Sequence, residues 1–136
     1  MTDLSQWTVV LVDDEPDSLN LVADVLTLQG AEVHQAESGR DGLMLLHTVT
    51  PTIIVLDLAM PRPDGWDILA TIRVTPDLAS VPVVAITAYY SEKVAQEAYR
   101  AGFDAFSPKP IKASEFVRLL EDVINAGGPE KDKGPT

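Results

Sequence analysis

The sequence predicts a doubly wound α/β fold, a parallel sheet of five strands in the order 2-1-3-4-5 with helices on both faces. Three observations lead there. Five short β candidates alternate strictly with five helical segments, the pattern of a parallel sheet joined by crossover helices. The first, third and fourth strands are unbroken Val/Ile/Leu runs, as expected where both faces are covered, while the other two carry polar residues and belong at the edges. Right-handed crossovers then favour this order.

WTVVLV (7–12) is the first strand. PDSLNLVADVLTLQG (16–30) reads as a helix, with Leu19, Val22, Ala23 and Leu26 on one face and Gly30 as its stop signal. AEVHQA (31–36) alternates like an edge strand, and SGRDGLMLLHTV (38–49) is a second helix with Ser38 as N-cap. TIIVLD (52–57) is the third strand, an apolar run from Ile53 to Leu56 that ends on the carboxylate of Asp57. The proline- and glycine-marked loop LAMPRPDG leads to a helix at 64–73. VPVVAIT (81–87) is the fourth strand, SEKVAQEAYRAG (91–102) the fourth helix and FDAF (103–106) a short fifth strand. KASEFVRLLEDVINAGG closes the fold, with Phe116, Leu119, Leu120 and Val123 on its inner face. One domain therefore spans 1–126, and the tail GGPEKDKGPT (127–136), which has no apolar anchor, reads as a disordered end or linker.

Composition narrows the function. Across 136 residues, 21 acids against 10 bases give a formal charge of −11, which argues against direct nucleic-acid binding and suits a basic partner or divalent cations. There is no cysteine, so disulfides, thiolate catalysis and Cys-ligated zinc are excluded. The N-terminal MTDLSQW has neither a basic leader nor an apolar segment, and no apolar run approaches membrane-spanning length. The expectation is a cytoplasmic protein that makes no use of a membrane.

In an open sheet of this kind, ligands bind beyond the carboxyl ends of the strands where the strand order reverses, here between strands one and three. Asp13, Asp14 and Glu15 follow strand one, Asp57 ends strand three, Thr87 ends strand four and Lys109 follows strand five. Carboxylates gathered in this way repel one another, and such a cluster holds either protons or a hard cation. With a backbone carbonyl and waters they suit Mg²⁺. The ammonium of Lys109 would help neutralise an incoming phosphoryl group. A carboxylate can act as nucleophile and become an aspartyl phosphate, and Thr87 can donate its hydroxyl to a phosphoryl oxygen. His34 and His47 make no ligand spacing with each other, and Trp66 reads as packing.

The stretches LVDDEP (11–16), VLDLAMPRPDGW (55–66), AITA (85–88) and FSPKP (106–110) stand in order at the ends of these strands. Over residues 7 to 126 the chain resembles a receiver domain of the two-component response regulator family, of the single-domain, chemotaxis-regulator-like type. The resemblance implies a flavodoxin-like (βα)5 fold. It implies that Asp57 accepts a phosphoryl group from a histidine kinase or histidine phosphotransfer protein. Asp13 and Asp14 would hold Mg²⁺ with Asp57 and the backbone carbonyl of Ala59, one of the two acids acting through water. Lys109 would pair with the phosphoryl group or with Asp57, and Lys109–Pro110 would be a cis peptide. Thr87 and Phe106 would form the switch pair, and Gly65 would permit the tight turn opening helix three. Positions 59 and 89 affect phosphoryl lifetime in this family.

Helix four turns only Val94, Ala95 and Ala98 inward, so it buries little apolar area and is suited to move. A downstream effector protein or output domain would read the surface of helix four, strand five and helix five, and helices four and five also offer a dimer contact. The chemistry is limited to self-phosphorylation and its reversal, so the expected role is signalling rather than enzymatic. No output domain is visible after residue 126.

Three other readings share parts of this pattern. A haloacid dehalogenase-type phosphatase needs a second aspartate two residues beyond the nucleophile, where Ala59 stands. A flavodoxin-like flavin binder must cradle a phosphate in its first loop, and DDEPD would repel one. A receiver-like scaffold that is never phosphorylated remains open from sequence alone, although all the chemical positions are filled.

Overall fold

The structure is a computed structural model and describes residues 3–126. In chain order the elements are β1 (Thr8–Val12), α1 (Pro16–Thr27), β2 (Glu32–Ala36), α2 (Gly39–Thr48), β3 (Ile53–Asp57), α3 (Gly65–Arg73), β4 (Val83–Thr87), α4 (Glu92–Ala101), β5 (Ala105–Pro108) and α5 (Ala113–Ala126). The strands form one parallel sheet in the order β2-β1-β3-β4-β5, as the crossover argument predicts.

Strand periodicity divides the core into two halves. Val9, Leu11, Ile53, Val55, Val84 and Ile86 point to the side covered by α1 and α5. Val10, Val12, Ile54, Leu56, Val83 and Ala85 point to the side covered by α2, α3 and α4. Successive side chains on a strand leave opposite faces, so a strand covered on both sides must be apolar throughout. This is why β3 and β4 are buried along their whole length. Leu19, Val22, Ala23 and Leu26 are the buried face of α1, as expected.

Several boundaries differ from the sequence expectation. α1 ends at Thr27, and Gly30 lies in the following turn with a φ of 106°. β5 begins at Ala105, two residues later than the FDAF stretch suggested. Gly102 closes α4 in the left-handed conformation, and Phe103 and Asp104 serve the turn: Phe103 is buried in the core and Asp104 accepts the Val83 N–H at 2.9 Å. On α5 the buried set is Phe116, Val117, Leu120 and Val123, while Leu119 sits at the rim. Two apolar stripes overlap on this helix, and the sheet takes the one containing Val117. The tail at 127–136 lies outside the described residues. Among the described residues, no helix is long and apolar enough to cross a membrane.

Candidate functional site

Asp13 leaves β1 at the sheet's carboxyl edge, where its N–H donates to the Ala36 carbonyl at 3.1 Å. Its Oδ1 accepts the Glu15 N–H at 2.9 Å, which turns the chain into α1 and points the carboxylate back over the sheet. Asp57 is the last residue of β3, its Oδ1 accepting the Ala59 N–H at 3.0 Å and its Oδ2 accepting the Lys109 ammonium at 3.0 Å. Thr87 ends β4 beside it and accepts the Tyr89 N–H on its hydroxyl oxygen at 3.2 Å. Lys109 is fixed by its own N–H, which donates to the Thr87 carbonyl at 2.8 Å. Four strand ends thus converge, as the sequence placed them.

Asp13, Asp57 and Thr87 are buried, whereas Asp14 and Glu15 are exposed. One carboxylate oxygen from each of Asp13, Asp14 and Asp57 lies within 4.8 Å of the others. Lys109 Nζ stands 2.9 Å from Asp13 Oδ2 and 3.7 Å from Glu15 Oε1. The contact with Asp13 is an ion pair without hydrogen-bond alignment, so Asp13 Oδ2 is a buried acceptor with no aligned donor. Asp14, Glu15, Asp57 and Lys109 line a cleft of about 240 Å³ together with Ala59, Ala88 and Tyr89, and Asp13 lies buried behind it.

The charges do not balance. Burial pushes Asp57 up to about 6, the neighbouring Asp13 adding to the rise against the Ala59 N–H and Lys109. Burial acts to raise Asp13 as well, but the Ser18 hydroxyl, the Glu15 N–H and Lys109 hold it below the usual carboxylate range. Burial acts to lower Lys109, and Asp13 and Asp57 together hold it above its ordinary value. A hard divalent cation with oxygen ligands fits this donor set, in which Asp13 Oδ2 is buried and met by the shared Lys109 ammonium without an aligned hydrogen bond.

The remaining expected residues are placed as follows. Phe106 is half-buried on β5, its ring 5.5 Å from that of Tyr90. Lys109–Pro110 is cis, and so is Arg62–Pro63. Gly65 has no left-handed backbone: a Cβ there would lie 2.5 Å from the Asp57 carbonyl oxygen, so its role is close approach of α3 to β3 rather than an unusual turn. Trp66 packs edge-on against Phe103 at 5.6 Å. His34 pairs with Glu32 at 2.6 Å and His47 is exposed on α2, both away from the cleft.

Sequence reasoning passed over the fastening of the β3–α3 loop. Asp64 and Asp67 form a reciprocal capping box, and the Arg62 guanidinium forks onto Asp67 at 2.8 and 3.0 Å. The Asp-x-x-Asp spacing ahead of an apolar helix was the available signal for the box.

The family model for the response regulator receiver domain matches residues 9–121. The chain belongs to this receiver family. Its similarity to curated proteins includes an uncharacterized 14.6 kDa protein of Leptolyngbya boryana, 35% identical over 96% of this chain and 99% of that one. The transcriptional regulatory protein GlrR of Escherichia coli K12 is 32% identical over 92% of this chain but 28% of its own length. Among solved structures, NtrX from Brucella abortus superposes with a TM-score of 0.84 at 27% identity, over 97% of this chain and 29% of that one. The chemotaxis response regulator CheY4 of Vibrio cholerae shares the fold, with a TM-score of 0.79 at 24% identity over 90% of this chain and 99% of its own. The receiver therefore spans nearly the whole of some relatives and under a third of others.

Proposed function

We propose that this receiver is a phosphorylation-dependent switch in which Asp57 accepts a phosphoryl group from a histidine kinase or histidine phosphotransfer protein. The observation that carries the reading is the gathering of the Asp13, Asp14 and Asp57 oxygens within 4.8 Å, with the Lys109 ammonium 3.0 Å from Asp57. A carboxylate oxygen of Asp57 forms the new bond to phosphorus. The bond from phosphorus to the donor imidazole nitrogen breaks, and its electron pair stays with the imidazole. Lys109 lies where it can offset the charge of the transferred group. The Ala59 N–H holds the Asp57 carboxylate in orientation.

Asp13, Asp14, Asp57 and the Ala59 carbonyl would hold Mg²⁺, with one of the first two acting through water. Bound there, the cation neutralises phosphoryl oxygen charge. Thr87, whose hydroxyl oxygen accepts the Tyr89 N–H, then donates its O–H to a phosphoryl oxygen, and Phe106 turns inward from Tyr90. The altered α4–β5–α5 surface controls a downstream effector protein or output domain. In this reading the protein signals and does not turn over a substrate of its own.

The test is incubation with Mg²⁺ and acetyl phosphate followed by intact mass, alongside Asp57→Asn. One added phosphoryl group on the parent alone is the expected result. No gain from acetyl phosphate, and none from a cognate kinase, would leave an unphosphorylated scaffold as the better reading.

A further inference from the structure

Gly39 is the first residue of α2, and its φ lies outside the left-handed region, so its backbone does not call for glycine. The space around it does. A Cβ on Gly39 would lie 1.8 Å from the Pro63 carbonyl oxygen, 2.8 Å from the Pro63 carbonyl carbon and 2.9 Å from its Cγ. The β2–α2 corner therefore presses on the β3–α3 loop, backbone against backbone. That loop is the one that carries Ala59.

We propose that Gly39 is a positioning residue for the cation site, setting the β3–α3 loop so that the Ala59 carbonyl is presented beside the carboxylates. The inference rests on the reading that Asp13, Asp14, Asp57 and Ala59 hold Mg²⁺. Neither side of the contact yields easily. α2 is capped by Ser38, whose hydroxyl oxygen accepts the Asp41 N–H, and one turn on it is pressed to the sheet at Gly42, where a Cβ would lie 2.7 Å from Val12 Cγ2. Retreat of this helix would open a gap beneath Leu46, which is buried.

The loop is pinned at both ends. The Leu58 N–H donates to the Ile86 carbonyl at 2.9 Å, and Asp64 and Asp67 cap α3 at the other end. A displacement forced on Pro63 is thus confined to residues 59–63. The Ala59 N–H, bonded to Asp57 Oδ1 at 3.0 Å, lies at the start of that stretch and reports on it without any metal.

The test compares Gly39→Ala with the parent and with Leu26→Ala, a core truncation at the far end of α1. Mg²⁺ affinity is measured by isothermal titration calorimetry, and Ala59 amide exchange is followed without metal. Loss of support for a ligand costs roughly tenfold or more in metal affinity, so Gly39→Ala should bind Mg²⁺ about tenfold more weakly. It should also exchange the Ala59 amide faster. Leu26→Ala should melt earlier yet keep its Mg²⁺ affinity within about twofold of the parent, because independent sites add.

Parental affinity and parental Ala59 exchange in Gly39→Ala would overturn the inference, as would an equal loss in Leu26→Ala. Absence of Mg²⁺ binding by the parent would instead sink the cation reading beneath it. If Gly39→Ala does not fold, Pro63→Gly removes the side-chain part of the same contact, the Cγ that a Cβ on Gly39 would meet at 2.9 Å. It should likewise weaken Mg²⁺ binding and speed Ala59 exchange, and parental values for both would overturn the inference.

Discussion

The Lys109 ammonium is shared between two buried carboxylates, 2.9 Å from Asp13 Oδ2 and 3.0 Å from Asp57 Oδ2. One cation cannot neutralise both acids, and Asp14 adds a third carboxylate to the cluster. The fold therefore confines more negative charge than its own residues balance. That imbalance would favour a bound cation, and it weakens the fold of the protein without one. Buried charges that lack full compensation cost folding energy.

Replacing Asp57 should stabilise the metal-free protein. Its pKa is raised to about 6, so the neutral form favours the fold. Stability associated with this group is fully present below the unfolded value near 3.8 and is lost as pH rises through about 6. Asp57→Asn should remove that decline, leaving the variant more stable than the parent above pH ~6 by on the order of 2 kcal/mol. Urea denaturation at pH 4 and pH 7 without Mg²⁺ checks it, and a variant less stable at pH 7 contradicts it.

Lys109→Met should have the opposite effect. Removing the ammonium leaves Asp13 and Asp57 facing each other without a cation, a loss of about 3 kcal/mol near neutral pH for a broken buried pair. Protonating Asp57 relieves part of the repulsion, so the loss should be smaller at pH 5 than at pH 7. Denaturation curves at the two pH values should show this difference, and an equal loss at both would assign the lysine a packing role.

Helix α4 is the element with least to hold it. Ala98 is its one fully buried residue, with Val94 and Ala95 half-buried. Addition of a phosphoryl mimic with Mg²⁺ should change amide exchange across residues 89–108 and leave α1 unaltered. Equal protection of the segment with and without the mimic would remove α4 from the switch.

Arg73 ties the base of this region together. Its guanidinium donates to the carbonyls of Ala79, Val81 and Gly102 at 3.1, 2.9 and 2.7 Å and to Asp104 Oδ2 at 2.9 Å. Arg73→Ala should cost about 2 kcal/mol, since half-buried acceptors lose a charged donor. Arg73→Lys should recover only part of this, because an ammonium lacks the planar fork. Thermal melts of the two variants provide the measurement, and full rescue by lysine would contradict the role of the fork.

The chain order of apolar runs and helical faces carried the architecture. Hydrophobic periodicity is local, so β1, β3, β4 and the inner face of α1 could be read residue by residue. The carboxyl-edge rule brings Asp13, Asp57, Thr87 and Lys109 together from the sequence alone. The start of β5 was read two residues early and Val117 was missed on the inner face of α5, because Phe103 and Val117 are apolar in any arrangement. Where each of them is buried depends on what packs above it.

Distances and contacts between remote segments were beyond reach of the pattern. Nothing in SGRDG announces that Gly39 meets Pro63, and nothing in GWDI that Gly65 meets the Asp57 carbonyl. Composition and periodicity report on a residue's relation to its own helix or strand. Ion sharing by Lys109, the unaligned Asp13 oxygen and backbone-to-backbone contact are relations between elements, and they exist once the sheet has brought those elements into register.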